Sequence, residues 1–268
     1  YFGGRYRTYH LFYHCCHAAY RKTSLKSYMK IISLVPSITE TLFDFGLNPD
    51  QIVGRTKFCI HPEEKIKSVE MIGGTKNLNI EKIKALKPDL IIGNKEENTK
   101  EQVEILMKEF KVWITDIQNL EDNRNFISEL GYILQQQPIA EKINSKTEEI
   151  FSEFEIENRR KAAYLIWKNP YMTVGSDTFI HDIMQKLGFE NIFRNQLRYP
   201  AITHDDLRNT EYILLSSEPF PFREKHAEEL KKILPETKII LVDGEAFSWF
   251  GSRPSKSGAY YRSLLESL

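Results

Sequence analysis

The chain has 268 residues, 41% hydrophobic and 28% charged, with 37 bases balanced by 37 acids. That balance excludes a strongly basic nucleic-acid binder, and the absence of any run of about 18 apolar residues excludes a membrane span. Three Cys, an odd and sparse number, exclude a disulfide framework.

The charge is unevenly placed. Residues 1–28 hold Arg5, Arg7, Arg21, Lys22 and Lys26 and no acid, which leaves 32 bases against 37 acids in the rest. This segment has neither helical nor strand periodicity and is expected to stand apart from the fold. Its least polar stretch, Leu11 to Tyr20, is broken by His14 and His17 and makes no secretory h-region. The run His14-Cys15-Cys16-His17 lacks the spacing of a zinc site, because adjacent ligands point in different directions.

From residue 29 the pattern becomes regular. Residues 30–35 read as a buried strand stopped by Pro36. Ser37-Ile-Thr-Glu40 reads as a capping box opening a helix that Gly46 ends. Asn79 caps a helix over Ile80 to Leu86, Pro88 blocks its continuation, and residues 89–93 form a strand. A helix over about 98–109 and a strand over 111–115 follow. Strands alternating with helices imply a parallel sheet with right-handed crossovers. The alternation then stops: residues 121–135 form one helix, and Pro138 opens another, to about 159, with Ile139, Ile143, Ile150 and Phe154 at helical spacing. Some 20 residues make a rod of about 30 Å, long enough to join two domains.

The βα pattern returns at a strand from Lys161 to Trp167. Ser176 or Asp177 caps a helix ending at Gly188, Thr203-His-Asp-Asp206 is a second capping-box-like start, and 211–216 and 238–243 are strands flanking a helix at 223–233. Residues 255–267 are expected to be helical. The halves echo one another: Asn79 to Ile92 and Thr203 to Leu215 each place a capped short helix directly before a hydrophobic strand. The expected organisation is a lobe over 29–118, a helical connection over 119–160, and a lobe over 161–268. A cleft between such lobes is a favoured ligand site.

Four segments in this order resemble the helical-backbone (class III) solute-binding proteins of ABC importers. They are Ser33-Leu-Val-Pro-Ser-Ile-Thr-Glu40, Gly73 to Leu90, Leu187-Gly-Phe-Glu-Asn-Ile-Phe193 and Phe247-Ser-Trp-Phe-Gly-Ser-Arg253. The resemblance covers about 30–260. It implies an α/β fold of two Rossmann-like lobes, each with a mostly parallel sheet, joined by a single long backbone helix. It also implies a monomer, acting outside the cytoplasmic membrane, that captures a cobalamin, another corrinoid, haem or a ferric chelate and delivers it to a permease and its ATPase. No intrinsic cofactor is implied. Matching the cobalamin-binding members residue by residue gives Phe58, Tyr199, Trp249 and Arg253 as cleft residues. Trp167 and Tyr171 join them at the end of the second lobe's first strand. Thr75 and Asn94 stand where those members carry tryptophans, a departure that bears on the ligand and not on the fold. Acidic residues that dock onto the permease match Glu81 and Asp205, although carboxylates in a first helical turn also serve the helix dipole. Flat aromatics suit a planar ligand, and Arg253 suits an amide, phosphate or carboxylate. Trp167 and Trp249 could equally be core. If Trp249 and Arg253 serve only the ligand, their replacement leaves the fold intact.

Three other readings stay open. His61, His181, His204 and His226 could hold zinc or manganese, although no two of them have ligand spacing on one helix or strand. A cytosolic corrinoid- or metal-binding module would dispense with the signal. An enzyme is not expected, since the turn Val35 to Thr39 has no dinucleotide fingerprint, and neither a Walker motif nor a G-x-S-x-G elbow occurs.

Overall fold

The computed structural model describes residues 29–154 and 159–268. The readings that fall on the first 28 residues (the basic tail, the stretch Leu11 to Tyr20 and the His14–His17 run) lie outside the described residues. β1 (Ile31–Ser33), α1 (Pro36–Asp44), β2 (Ile52–Arg55) and the short α2 (Glu63–Ile66) open the first lobe. A small hairpin of β3 (Gly73–Gly74) and β4 (Asn77–Leu78) follows, then α3 (Ile80–Leu86), β5 (Leu90–Asn94), α4 (Lys100–Met107) and β6 (Val112–Thr115). Two helices, α5 (Leu120–Ile133) and α6 (Gln137–Ser152), lead to the second lobe. There β7 (Arg160–Trp167), β8 (Tyr171–Thr173), α7 (Phe179–Lys186), β9 (Phe189–Asn191) and β10 (Ala201–Ile202) precede β11 (Tyr212–Ser216), α8 (Glu224–Ile233) and β12 (Lys238–Val242). The chain closes with α9 (Gly244–Ser248), a 3₁₀ turn over Arg253–Lys256 and α10 (Gly258–Glu266).

The internal echo is realised in the sheets. The first has strand order β2-β1-β5-β6, all parallel. In the second, the parallel strands β9-β7-β11-β12 repeat that order with equivalent partners. The second sheet adds β8 and β10 as antiparallel strands beyond β7, which periodicity did not reveal because they span three and two residues. In each sheet the order reverses at one point, between β1 and β5 and between β7 and β11. Loops leaving the carboxyl ends of strands there form the crevice in which open α/β sheets bind ligands.

Side-chain alternation sorts the core. Ala162, Tyr164 and Ile166 of β7 join a cluster that runs from the first sheet (Ile31, Ile92) through α5 and α6 to Phe247 and Tyr261. Ala163 and Leu165 point to the opposite face, with Ile213, Leu215 and Leu230. This two-residue period is the pleat of a strand buried on both sides.

The α6 helix ends at Ser152, about two turns short of the expected end near 159, so the rod is about 24 Å long. Its buried stripe is Ala140, Ile143, Thr147, Ile150 and Phe151, and the helix packs against α5, the 3₁₀ turn Arg253–Lys256 and the start of α10. Gly131 of α5 lets the pair close up, because a Cβ there would stand 2.5 Å from that of Ala140. Phe151 meets Tyr261 of α10 at 5.4 Å between ring centroids.

Several expected caps are replaced by others. Pro36 occupies the first turn of α1 after Val35, so Ser37–Glu40 forms no capping box, and Glu40 instead meets Arg253 and Lys256. Thr178, rather than Ser176 or Asp177, caps α7 through its hydroxyl. Asp206 accepts from the backbone N–H and hydroxyl of Thr203, yet only a 3₁₀ turn over Asp205–Leu207 follows. Asn79 caps α3 as expected, accepting from the Lys82 N–H at 2.9 Å. Residues 255 and 256 belong to the 3₁₀ turn, and α10 begins only at Gly258.

After β12 the chain crosses back to the first lobe. The Gly251 carbonyl accepts from Asn123 of α5 at 3.1 Å, the Ser252 N–H donates to Thr41 Oγ1 at 3.0 Å, and Lys256 Nζ lies 2.6 Å from both Glu40 and Asp44 of α1. No helix among the described residues is long and apolar enough to cross a membrane.

Candidate ligand cleft

Loops from the carboxyl ends of the two sheets face each other. From the first lobe come the segment after β2, with Phe58 and His61, the turn at Thr75, and the segment after β5, Asn94 to Glu97. The second lobe contributes Trp167 after β7, Glu218 after β11, the Arg198-Tyr199 pair, and Glu245 to Arg253. Asn98 fixes the first-lobe loops from within. Its Oδ1 accepts from the Asn94 N–H at 2.9 Å, while its Nδ2 donates to Leu34 O at 3.3 Å and Thr75 O at 3.0 Å. Gly93 is required beside it, since a Cβ would come within 2.6 Å of Asn98 Oδ1.

Glu96 bridges the lobes. Its Oε2 accepts from the Tyr199 hydroxyl at 2.7 Å, and its Oε1 lies 2.8 Å from Arg198 Nη1, at ion-pair distance but outside hydrogen-bond alignment. Burial, followed by the Glu96 charge, pushes the Tyr199 phenol far above its usual value, so it stays a neutral donor. On the other side of the cleft Arg253 stacks 4.8 Å over the Trp249 ring. Its guanidinium stands 3.0 Å from Glu40 of the first lobe and 2.9 Å from Glu245 of the second. These are contacts of charge, without aligned hydrogen bonds. His61 Nε2 meets the same Glu245 at 3.0 Å and lays its ring across Trp249 at 5.6 Å.

Glu218 is set between these groups. Its Oε1 accepts from Trp249 Nε1 and from the Ser248 hydroxyl, each at 2.8 Å. Desolvation, with the Glu245 and Glu97 charges adding to it, raises its pKa against those two hydrogen bonds. Glu97 is exposed, and partial desolvation by neighbouring protein raises the pKa of its carboxyl as well. Glu218 therefore favours folding most when it is protonated. That contribution is complete below the ordinary carboxylate value and is lost as pH rises through the raised one. A Glu218→Gln variant is expected to melt with less dependence on pH just above the usual carboxylate range, as thermal denaturation across a pH series would measure.

The residues expected from sequence fall into four groups. Trp249 and Arg253 stack on one another, Trp249 only 7% exposed and Arg253 already between two carboxylates, while Tyr199 stands apart from them on Glu96. Phe58 and Trp167 are half-exposed, at 50% and 41%; Lys57 stands 5.0 Å over the Phe58 ring, and Trp167 rests edge-on against Phe220. Thr75, Asn94 and Tyr171 are buried. Asn94 is occupied by Thr115 and by the Glu96 N–H, and Tyr171 packs against His204 beside the second core cluster. Glu81 and Asp205 are open to solvent, their side chains 86% and 78% exposed, beside Lys84 and Arg208 respectively.

The four histidines do not converge. His181 Nδ1 lies 3.1 Å from Asn191 Nδ2, His204 packs on Tyr171, and His226 Nδ1 accepts from the Arg223 N–H. Among the described residues no three His, Cys, Asp or Glu side chains gather as a metal ion would need. Two concavities lie away from the cleft: one of about 530 Å³ between α8 and β12, lined by Lys231, Lys232 and Lys238, and one of about 340 Å³ between α5 and α6.

Sequence reasoning missed Glu96, Glu97, Glu218 and Glu245. A signal for three of them existed. Glu96 and Glu97 follow β5, and Glu218 follows β11, the equivalent strand, in each case within a few residues of the carboxyl end.

A family model described as "periplasmic binding protein" matches residues 31–219. The chain belongs to this family. The "Vitamin B12-binding protein" of Salmonella paratyphi A is 27% identical over 187 residues, 66% of this chain and 68% of the relative. The "Uncharacterized ABC transporter substrate-binding lipoprotein YvrC" of Bacillus subtilis is 25% identical over 197 residues, 68% of this chain and 61% of the relative. Among solved structures, the periplasmic vitamin B12 binding protein BtuF of Vibrio cholerae aligns with a TM-score of 0.73 at 18% identity, covering 89% of this chain and 98% of that one. The periplasmic heme binding protein HutB of the same organism aligns at 0.75 and 18%, covering 89% and 99%. At these identities the structures establish that this periplasmic binding protein shares their two-lobed fold.

Proposed function

We propose that this periplasmic binding protein captures a cobalamin, another corrinoid or a ferric chelate such as haem in the cleft between its lobes, and delivers it to an ABC permease outside the cytoplasmic membrane. One observation carries the reading: loops from the switch points of two equivalent sheets face each other and present the half-exposed rings of Phe58 and Trp167. Flat rings gain contact area with a planar macrocycle at little entropic cost. The B12-binding name carried by a relative at 27% identity supports a corrinoid. In this reading Tyr199, Trp249 and Arg253 complete the wall.

Because cobalamin, haem and ferric siderophores are coloured, the test is direct. The purified chain is incubated with cyanocobalamin, hemin or ferrichrome and dialysed, and its visible spectrum is recorded. Retention of one of them at one per chain is expected. Loss of all three at tens of micromolar would defeat the proposal.

Delivery has its own expectation. Glu81 and Asp205 project from the first turns of short helices in the two halves, where they can meet arginines of a permease. A Glu81→Ala/Asp205→Ala variant is expected to keep its ligand affinity within about twofold while losing transport, since rim charges act on partner association. Equilibrium dialysis beside an uptake assay separates the two, and a changed ligand affinity would remove the docking role.

A further inference from the structure

We propose that Lys57 and Lys76 form an anion-receiving edge of the cleft beside the Phe58 ring: a guest lies with its flat face on Phe58 and turns an anionic group of its rim, a carboxylate or a phosphodiester, to the two ammonium groups. The inference rests on the capture proposed above and locates the guest's charge.

Lys57 and Phe58 leave the carboxyl end of β2, and the β3–β4 hairpin supports them. The Lys57 N–H donates to Gly73 O at 2.7 Å. A Cβ on Gly74 would stand 3.5 Å from Lys57 Cε and 3.5 Å from Phe58 Cε2, so both side chains lie against that residue. Gly74 pairs with Asn77, which makes Thr75-Lys76 the two-residue tip of the hairpin. Lys76 therefore lies within about 8 Å of Gly74, two Cα steps away. The tip is anchored from beneath, where Thr75 O accepts from the buried Asn98 side chain at 3.0 Å.

The other Lys and Arg side chains of the cleft loops are engaged: Arg198, Arg253, Lys168 and Lys95 each stand at ion-pair distance from a carboxylate. Lys57 and Lys76 are exposed and have no ion-pair partner among the described residues. Lys57 instead holds its Nζ 5.0 Å over the half-exposed Phe58 ring. Such a contact is weak at an exposed site, and an anion competes with it readily. Glu97 is the acid whose titration feels Lys76, so a guest's anion meets two cations against that one carboxylate.

An ammonium on a flexible stem is a point charge that takes carboxylate or phosphate oxygens without demanding one geometry. Two flat-ringed guests carry such a group on the rim. Haem has two propionates, and cobalamin has the phosphodiester of its nucleotide arm. With the ring stacked on Phe58, that group comes to the edge along which the Lys57 stem already runs. The amide arms of a corrin offer an ammonium only neutral acceptors, so charge is what the pair selects.

The Lys57→Gln/Lys76→Gln variant removes both charges at exposed positions, and circular dichroism checks that the fold is kept. Dissociation constants are measured by absorbance titration of the full chain for hemin, for cyanocobalamin and for dicyanocobinamide, a corrin without the phosphodiester. In about 50 mM salt the double variant is expected to bind the anionic guest about tenfold more weakly than wild type, and the gap to narrow at about 500 mM as the charges are screened. Affinity for dicyanocobinamide is expected to move by less than about twofold, since it brings no anion to the pair. A loss confined to hemin identifies the carboxylate as the partner, and a loss confined to cyanocobalamin identifies the phosphodiester. Unchanged affinity for both anionic guests, an equal loss for dicyanocobinamide, or a loss that salt does not narrow overturns the inference and leaves the capture reading standing. So does a wild type that holds only an uncharged guest, dicyanocobinamide or ferrichrome. A wild type that holds none of these compounds overturns both.

Discussion

Replacement of Trp249 by alanine is expected to lower the unfolding free energy by about 3–5 kcal/mol, the range for removing a buried aromatic ring and leaving a cavity. The indole is nearly closed off from solvent, carries the Arg253 guanidinium on its face and the His61 ring at its edge, and donates its only N–H to Glu218. Alanine would remove the ring and leave the Glu218 carboxylate with Ser248 as its one partner, raising the cost of keeping that charge in a desolvated place. Chemical denaturation read by circular dichroism gives the change. A midpoint within error of wild type would show that the ring serves the ligand and contributes nothing to the fold. The structure therefore changes what Trp249 and Arg253 are expected to do: replacing either disturbs the protein before any ligand arrives.

Gly251→Ala is expected to cost about 3 kcal/mol from two sources. Gly251 has φ +84, where an L side chain is strained, and a Cβ there would lie 2.1 Å from Thr41 Oγ1. Thr41 holds its place through its own bonds to Ser37 O and the Ser252 N–H, so it has little room to withdraw. A Thr41→Ala change removes the offending oxygen, and the double variant should lose less stability than the sum of the two single ones. Full additivity in the denaturation midpoints would place the strain elsewhere.

Much of the fold could be read from the chain because local and tertiary signals agreed. Asn79 caps the helix Ile80–Leu86 as its side chain requires, and the apolar runs within 212–216 and 238–242 are strands, the first buried from Ile213 to Ser216 and the second an edge strand with Val242 buried. Elements failed to show where a neighbour overruled the local signal. Ser37-Ile-Thr-Glu40 has the composition of a capping box, yet Pro36 starts the helix earlier and Arg253, more than two hundred residues on, claims Glu40. The strands β8 and β10 hold too few residues for any period to appear, and the first of them is held by pairing with β7 on one side and β10 on the other. The family resemblance put forward Tyr199, Trp249 and Arg253 as cleft residues. It could not reveal that Asn94 is used up within its own loop, since that depends on Thr115 of the adjacent strand. The carboxylates were passed over for a general reason. An acid after a strand looks like ordinary surface until the opposing lobe is in place to desolvate it.

The crossing of residues 251–256 onto α1 fixes the second lobe to the first at a place next to α6. A body pinned at two points can turn only about the line that joins them. A swing about that line would keep both pins, whereas drawing the lobes apart at the cleft would also have to break the contacts of Glu96 with Arg198 and Tyr199.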